Sequence, residues 1–163
     1  MIKLKTFGSF TVGNGLTSVQ EGAWRSEKLE KLFVYLAMNR NRGVCIEDIS
    51  EAIWQGEEET DNPVGALKNL AYRLRKALRD ASFGEECIVS VRGGLYKWND
   101  DVEVTIDVEE FDRYINEAEM AFCRSKETAI ESYEKAIALY HGDFLPLRTD
   151  THWFMTLNAF YHS

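Results

Sequence analysis

The chain has 163 residues, 45% of them hydrophobic and 28% charged, with a formal net charge of −8. That length suits one ordinary domain or two small ones, and that balance excludes a disordered chain. No apolar run approaches the ~20 residues of a membrane span, and the opening MIKLKTFGSF lacks the apolar core of a signal peptide.

Cys45, Cys87 and Cys123 are odd in number and lack metal-ligand spacing. They argue against a disulfide framework or a structural zinc site and for a reducing cytoplasm. His141, Asp143, Asp150 and His152 match no closed ligand motif, so no metal is expected. There is no nucleophile elbow, phosphate loop or paired catalytic carboxylate motif. The expectation is a protein that is not an enzyme and carries no cofactor.

In chain order, Ile2–Phe7, Phe10–Val12 and Leu16–Val19 read as short strands. They are punctuated by Gly8-Ser9 and Gly13-Asn14-Gly15. Together they predict a small antiparallel sheet ahead of the helices. Ser26 then caps a helix whose apolar repeat is Leu29, Leu32, Phe33, Leu36 and Ala37, ended by residues 39–43. Ile46, Ile49 and Ile53 mark a short second helix that finishes near Trp54. An acidic, polar loop, Gln55–Asp61, follows. Asn62 and Pro63 suit the cap and first turn of a third helix.

That third helix carries Leu67, Leu70, Ala71, Leu74 and Leu78 on one face and basic residues on the rest. Residues 1–100 hold 14 Lys/Arg and 14 Asp/Glu, whereas residues 101–163 hold 5 and 13. Within the first part, residues 62–80 carry 5 basic side chains and 1 acidic one. Positive charge is therefore concentrated on one helix, and phosphate binding depends on local surface rather than net charge. A basic helix face has the size and charge to enter a DNA major groove.

IVSV and LYKW, joined by Arg92-Gly93-Gly94, predict a β-hairpin after this helix. Sheet, three helices and hairpin make a winged helix over residues 1–99. From residue 100 the pattern turns to helices alone. Phe111, Tyr114, Ile115 and Ala118 form one face, and Ala129, Ile130, Tyr133, Ala136, Ile137 and Tyr140 another. A third helix, with Trp153, Leu157 and Phe160, is expected from near Asp150. Paired amphipathic helices of this length predict a TPR-like segment over residues 100–163. The fold class is thus α+β: a winged helix-turn-helix with an N-terminal antiparallel sheet, then an all-α part.

WRSEKLEKLFVYLAMNRNRGVCIEDISEAIW and ALKNLAYRLRKAL resemble the OmpR/PhoB-type DNA-binding domain. More narrowly, they resemble its version in the Streptomyces antibiotic regulatory proteins. TIDVEEFDRYINEAE and AIALYHGDFLP are similar to the opening of the bacterial transcriptional activator domain, the helical partner in that family. Two positions depart from the pattern. Cys45 stands where Ser or Thr usually caps the second helix, a loss of ~1 kcal/mol. Leu95 stands where a glycine usually precedes the wing tyrosine. The family's activator domain is also longer than the part matched here.

The reading is a sequence-specific transcription regulator, an activator that recruits RNA polymerase. Asn69, Tyr72 and Arg73 are assigned to base edges, and Lys68, Arg75, Lys76 and Arg79 to phosphates, with Arg73 suited to either role. Arg92 at the wing tip is placed at the minor groove or a phosphate, against the plainer reading of an exposed turn. The resemblance implies double-stranded promoter DNA with direct repeats, often bound by two protomers. It also implies that Gln55, Glu57, Glu58 and Glu59 face RNA polymerase. A second reading is a protein-interaction module that works through the acidic helical half, with the winged helix as scaffold. A third, a small-molecule sensor, requires a pocket between helical repeats.

Overall fold

The computed structural model describes residues 1–54, 62–83, 86–145 and 152–162. Its first elements are strands β1 (Ile2–Lys5), β2 (Thr11–Gly13) and β3 (Ser18–Gln20) and helices α1 (Glu27–Met38), α2 (Ile46–Ile53) and α3 (Pro63–Asp80). They are followed by β4 (Ile88–Val91), β5 (Leu95–Trp98), β6 (Val104–Ile106), α4 (Asp107–Ala121), α5 (Lys126–Leu139) and α6 (His152–His162). β1, β2 and β3 pair antiparallel as expected. β6, which has no counterpart in the sequence reading, adds parallel to β1 and gives the order β3-β2-β1-β6.

The strands are shorter than expected for identifiable reasons. β1 stops at Lys5 because the next two N–H groups, of Thr6 and Phe7, donate to the Asp107 carboxylate. β3 starts at Ser18 because the amides of Leu16 and Thr17 donate to Asn14 Oδ1 in the preceding turn.

α1 is the centre of the molecule. Ser26 Oγ caps it by accepting from the Leu29 amide, and all of residues 29–37 are buried. A helix buried all round lies between other elements rather than on a surface. Here α2, α3 and β5 pack on it. Phe33 meets the rings of Phe10, Trp24 and Trp98 at 6.2, 5.8 and 5.2 Å. Even Glu30 is enclosed, where its carboxylate accepts from the Gly22 amide at 3.1 Å.

The helical half begins without a loop, since β6 runs straight into α4. The first residue of α4, Asp107, accepts from Thr6 N with both oxygens at 2.9 Å, from Thr6 Oγ1 at 2.7 Å and from Phe7 N at 2.9 Å. Its Oδ1 also takes the Val108 amide. Beside it, Leu145 N donates to Thr6 O and Gly8 N to Asp143 O, both at 2.8 Å. Phe7 meets the rings of Phe111, Tyr140 and Tyr161 within 5.1–5.5 Å. Arg40, just past α1, grips Glu109 of α4 through two bonds of 2.8 and 2.6 Å.

α4 and α5 pack together along a narrow seam that includes Ala118, Ala129, Ser132 and Ala136. Small residues let two helices approach closely, so the seam is narrower than the apolar face expected for α5. Ile130 and Ile137, read as part of that face, are 55% and 69% exposed.

Asp107→Ala strands buried N–H groups of Thr6, Phe7 and Val108. It is expected to lower stability in urea unfolding by about 3 kcal/mol. A second expectation concerns the end of α6. There His162 Nδ1 meets Asp143 Oδ1 at 2.7 Å, and Tyr140 donates to the same oxygen at 2.9 Å. The hydrogen bond to Asp143 raises the His162 pKa, and the bond to His162 lowers that of Asp143. The contact is fully formed below the usual histidine value of about 6.5 and is lost as pH rises through the raised one. At the acid end it is lost as pH falls through the lowered Asp143 value. An NMR titration should place the His162 midpoint above the ordinary value, and Asp143→Asn should bring it back down.

Candidate nucleic-acid interface

α3 is built to start cleanly and to bury one stripe. Asn62 Oδ1 accepts from Gly65 N at 3.0 Å, and Pro63 fills the first turn. A side chain at Gly65 would collide with the Asn62 amide, its Cβ lying 2.5 Å from Nδ2, so the glycine makes room for the cap. Leu67, Leu70, Ala71, Leu74 and Leu78 are buried against α1 and α2. The far end is tied to the sheet, where the Thr17 hydroxyl donates to Ala81 O at 2.9 Å. α2 carries no such side-chain cap, since Cys45 makes no capping hydrogen bond.

Lys68, Asn69, Tyr72, Arg73, Lys76 and Arg79 all lie exposed on the other side of α3. The Tyr72 ring is 60% exposed. Elsewhere Arg40, Arg42 and Arg113 each have a carboxylate partner. Lys68, Arg73, Lys76 and Arg79 have none among the described residues, so within those residues their charges stand uncompensated on one surface.

Arg75 is set apart from these. Its Nε donates to the Ile88 carbonyl at 3.2 Å and lies 3.5 Å from Glu86 Oε1. The guanidinium is thereby committed to the base of the hairpin. The sequence carries no signal for this bond, because the helical wheel places Arg75 with the exposed residues and only the hairpin's position turns it inward.

The hairpin pairs β4 with β5 through Val91↔Leu95, which leaves Arg92, Gly93 and Gly94 as the loop. Gly93 and Gly94 take φ of +89° and +74°, backbone that L side chains rarely adopt. The tip is open on all sides, and Arg92 is exposed there without an ion-pair partner among the described residues. Val44 holds the hairpin to the helical core. Its N donates to Tyr96 O at 2.7 Å, and its O accepts from Tyr96 N at 3.0 Å. Leu95, the residue that departs from the family pattern, packs against Gly43. A Cβ at Gly43 would lie 2.9 Å from Leu95 Cδ1 and 3.2 Å from its Cβ. The larger residue in the wing is matched by the smallest one opposite.

A helix with an uncompensated basic face stands beside a hairpin with a basic tip, and both are fastened to one core. Residues 21–98 match the family described as transcriptional regulatory protein, C terminal. Over this stretch the chain is similar to the OmpR/PhoB-type domain of transcriptional regulators. The chain is also similar to the transcriptional regulator RedD of Streptomyces coelicolor, with 29% identity over 132 residues, 79% of this chain and 37% of RedD. In fold it resembles Mycobacterium tuberculosis EmbR, solved in complex with a low-affinity phosphopeptide. That likeness has a TM-score of 0.79 at 18% identity and covers 99% of this chain and 41% of EmbR. The chain therefore spans about two fifths of the length of either relative. These matches bear out the winged helix and the likeness to the Streptomyces antibiotic regulatory proteins.

Gln55, Glu57, Glu58 and Glu59, the residues expected to face polymerase, lie outside the described residues. No helix among the described residues is long and apolar enough to cross a membrane.

Gly43→Ala is expected to destabilise the protein by about 1–3 kcal/mol in denaturant unfolding, through overpacking against Leu95. In a Leu95→Gly background the same change should cost much less. An equal cost in both backgrounds would contradict the matched pair.

Proposed function

We propose that the protein binds promoter DNA in the cytoplasm, places α3 in the major groove, and activates transcription through RNA polymerase. The observation that carries this reading is the uncompensated basic face of α3 beside the open Arg92 tip. B-DNA's major groove admits one α-helix, and a cationic surface releases counterions from the phosphates. Asn69, Tyr72 and Arg73 approach base edges. Lys68, Lys76 and Arg79 hold phosphates, and Arg92 reaches the adjacent minor groove or a phosphate. Arg75 acts at one remove as a positioning residue, because its bond to Ile88 O fixes the angle between helix and wing.

Residues 1–99 are the DNA-binding unit in this reading, and residues 100–163 open a TPR-like activator domain. β6 ties the second to the sheet of the first. Two protomers bind on repeated half-sites. The acidic loop of residues 55–61 contacts polymerase, and reversing Glu57 and Glu59 to Lys lowers activation while sparing DNA binding.

The test is selection of genomic DNA fragments by the purified protein, followed by anisotropy on the recovered sequence at several salt concentrations. Lys68→Ala with Lys76→Ala should weaken binding on all sequences and lower the salt slope by about 2. Arg73→Ala should relax sequence preference at a cost of about 1–3 kcal/mol. Arg75→Ala should lower stability and leave the salt slope nearly intact. A second reading, protein interaction through the helical half, draws on the exposed Met120, Phe122, Ile130 and Ile137. Absence of DNA binding even at low salt would favour it.

A further inference from the structure

Behind α3, on the far side of α2, three helices enclose a groove of about 480 Å³. Its lining includes Tyr35 of α1 with Asn39 just past the helix end, Asp48, Glu51 and Ala52 on one face of α2, and Trp153 and Leu157 one turn apart on α6. Its volume falls within the ~300–1,000 Å³ range of small-molecule sites. Trp153 and Leu157 supply its accessible apolar surface, with Tyr35 and Ala52 buried behind them. The Tyr35 and Trp153 rings meet edge to face at 5.0 Å.

The rim decides the charge of the occupant. Among the described residues Arg42 is its one cation, and it already lies 3.9 Å from Asp48 and 3.4 Å from Asn39 Oδ1. Glu51 is exposed and has no cationic partner among the described residues. Among the described residues the groove thus offers one aromatic face, one paired carboxylate and one free one. An anion would meet two carboxylates against a guanidinium already engaged. A flat cation would stack on the Trp153 ring and neutralise Glu51.

We propose that this groove is a binding site for a fused-ring aromatic compound bearing a protonated amine. Its walls come from both halves of the chain, so an occupant bridges the winged helix and the helical part. α2 packs on α1 and α3 as well as α6, and a bound molecule therefore leans on the support of α3. Only that last consequence rests on α3 binding DNA; the site itself does not.

Proflavine, a three-ring aromatic cation, serves as the probe, titrated against the whole chain without DNA and followed by its fluorescence anisotropy. Anthracene-9-carboxylate, similar in shape and opposite in charge, is the comparison. Proflavine should bind saturably at one site, about tenfold or more tighter than the anion. Glu51→Gln, a change on an exposed position, should weaken it by about tenfold, and Trp153→Ala should do the same through the lost wall. Glu131→Gln with Glu134→Gln, acids of α5 outside the groove, should change nothing. The proposal is overturned if proflavine does not saturate, if the anion binds equally well, if Glu51→Gln has no effect, or if the α5 changes weaken binding as much.

Discussion

The carboxylate of Asp107 is the constraint around which this molecule is arranged. It stands where β6 becomes α4, and it collects the amides of Thr6 and Phe7 together with the Thr6 hydroxyl. A buried carboxylate needs such donors, because an unpaired one would be too costly to enclose. By taking them it ends β1 and fixes the direction of α4. It also presents Phe7 to the aromatic side chains of the helical half. The Arg40–Glu109 pair and the short pairing of Thr6 and Gly8 with Leu145 and Asp143 hold the same junction at other points.

This junction has an electrostatic consequence. The acidic half of the chain is fastened to β1, to α2 through α6 and to the end of α1, while α3 packs on α1 and α2. Among the described residues, no element of the helical half packs closely on α3. The acids that make the chain negative overall are thus attached to a different side of the core from the basic face. A protein of net charge −8 can in this way keep a local cationic surface unneutralised.

Much of this was legible in the sequence. The leucine repeat of α3, the Asn62–Pro63 start, the Ser26 cap and the Gly-Gly hairpin are local signals, and each has a local physical cause. What was not legible depends on partners distant in the chain. β6 is three residues with no alternation to read, and it is a strand only because β1 lies beside it. Arg75 looks like its exposed neighbours until the hairpin folds back over it. Gly43 reads as a helix terminator, and its second role appears only opposite Leu95. Ile130 and Ile137 fit a helical face by spacing, yet the alanines beside them make the seam.

The measurement that bears most directly on the account is NMR chemical-shift mapping of the labelled protein with a selected DNA duplex. Perturbations are predicted at Asn69, Tyr72, Arg73, Lys76, Arg79 and Arg92, with α4 and α5 unaffected. Perturbations confined to the helical half, or none at low salt, would contradict it.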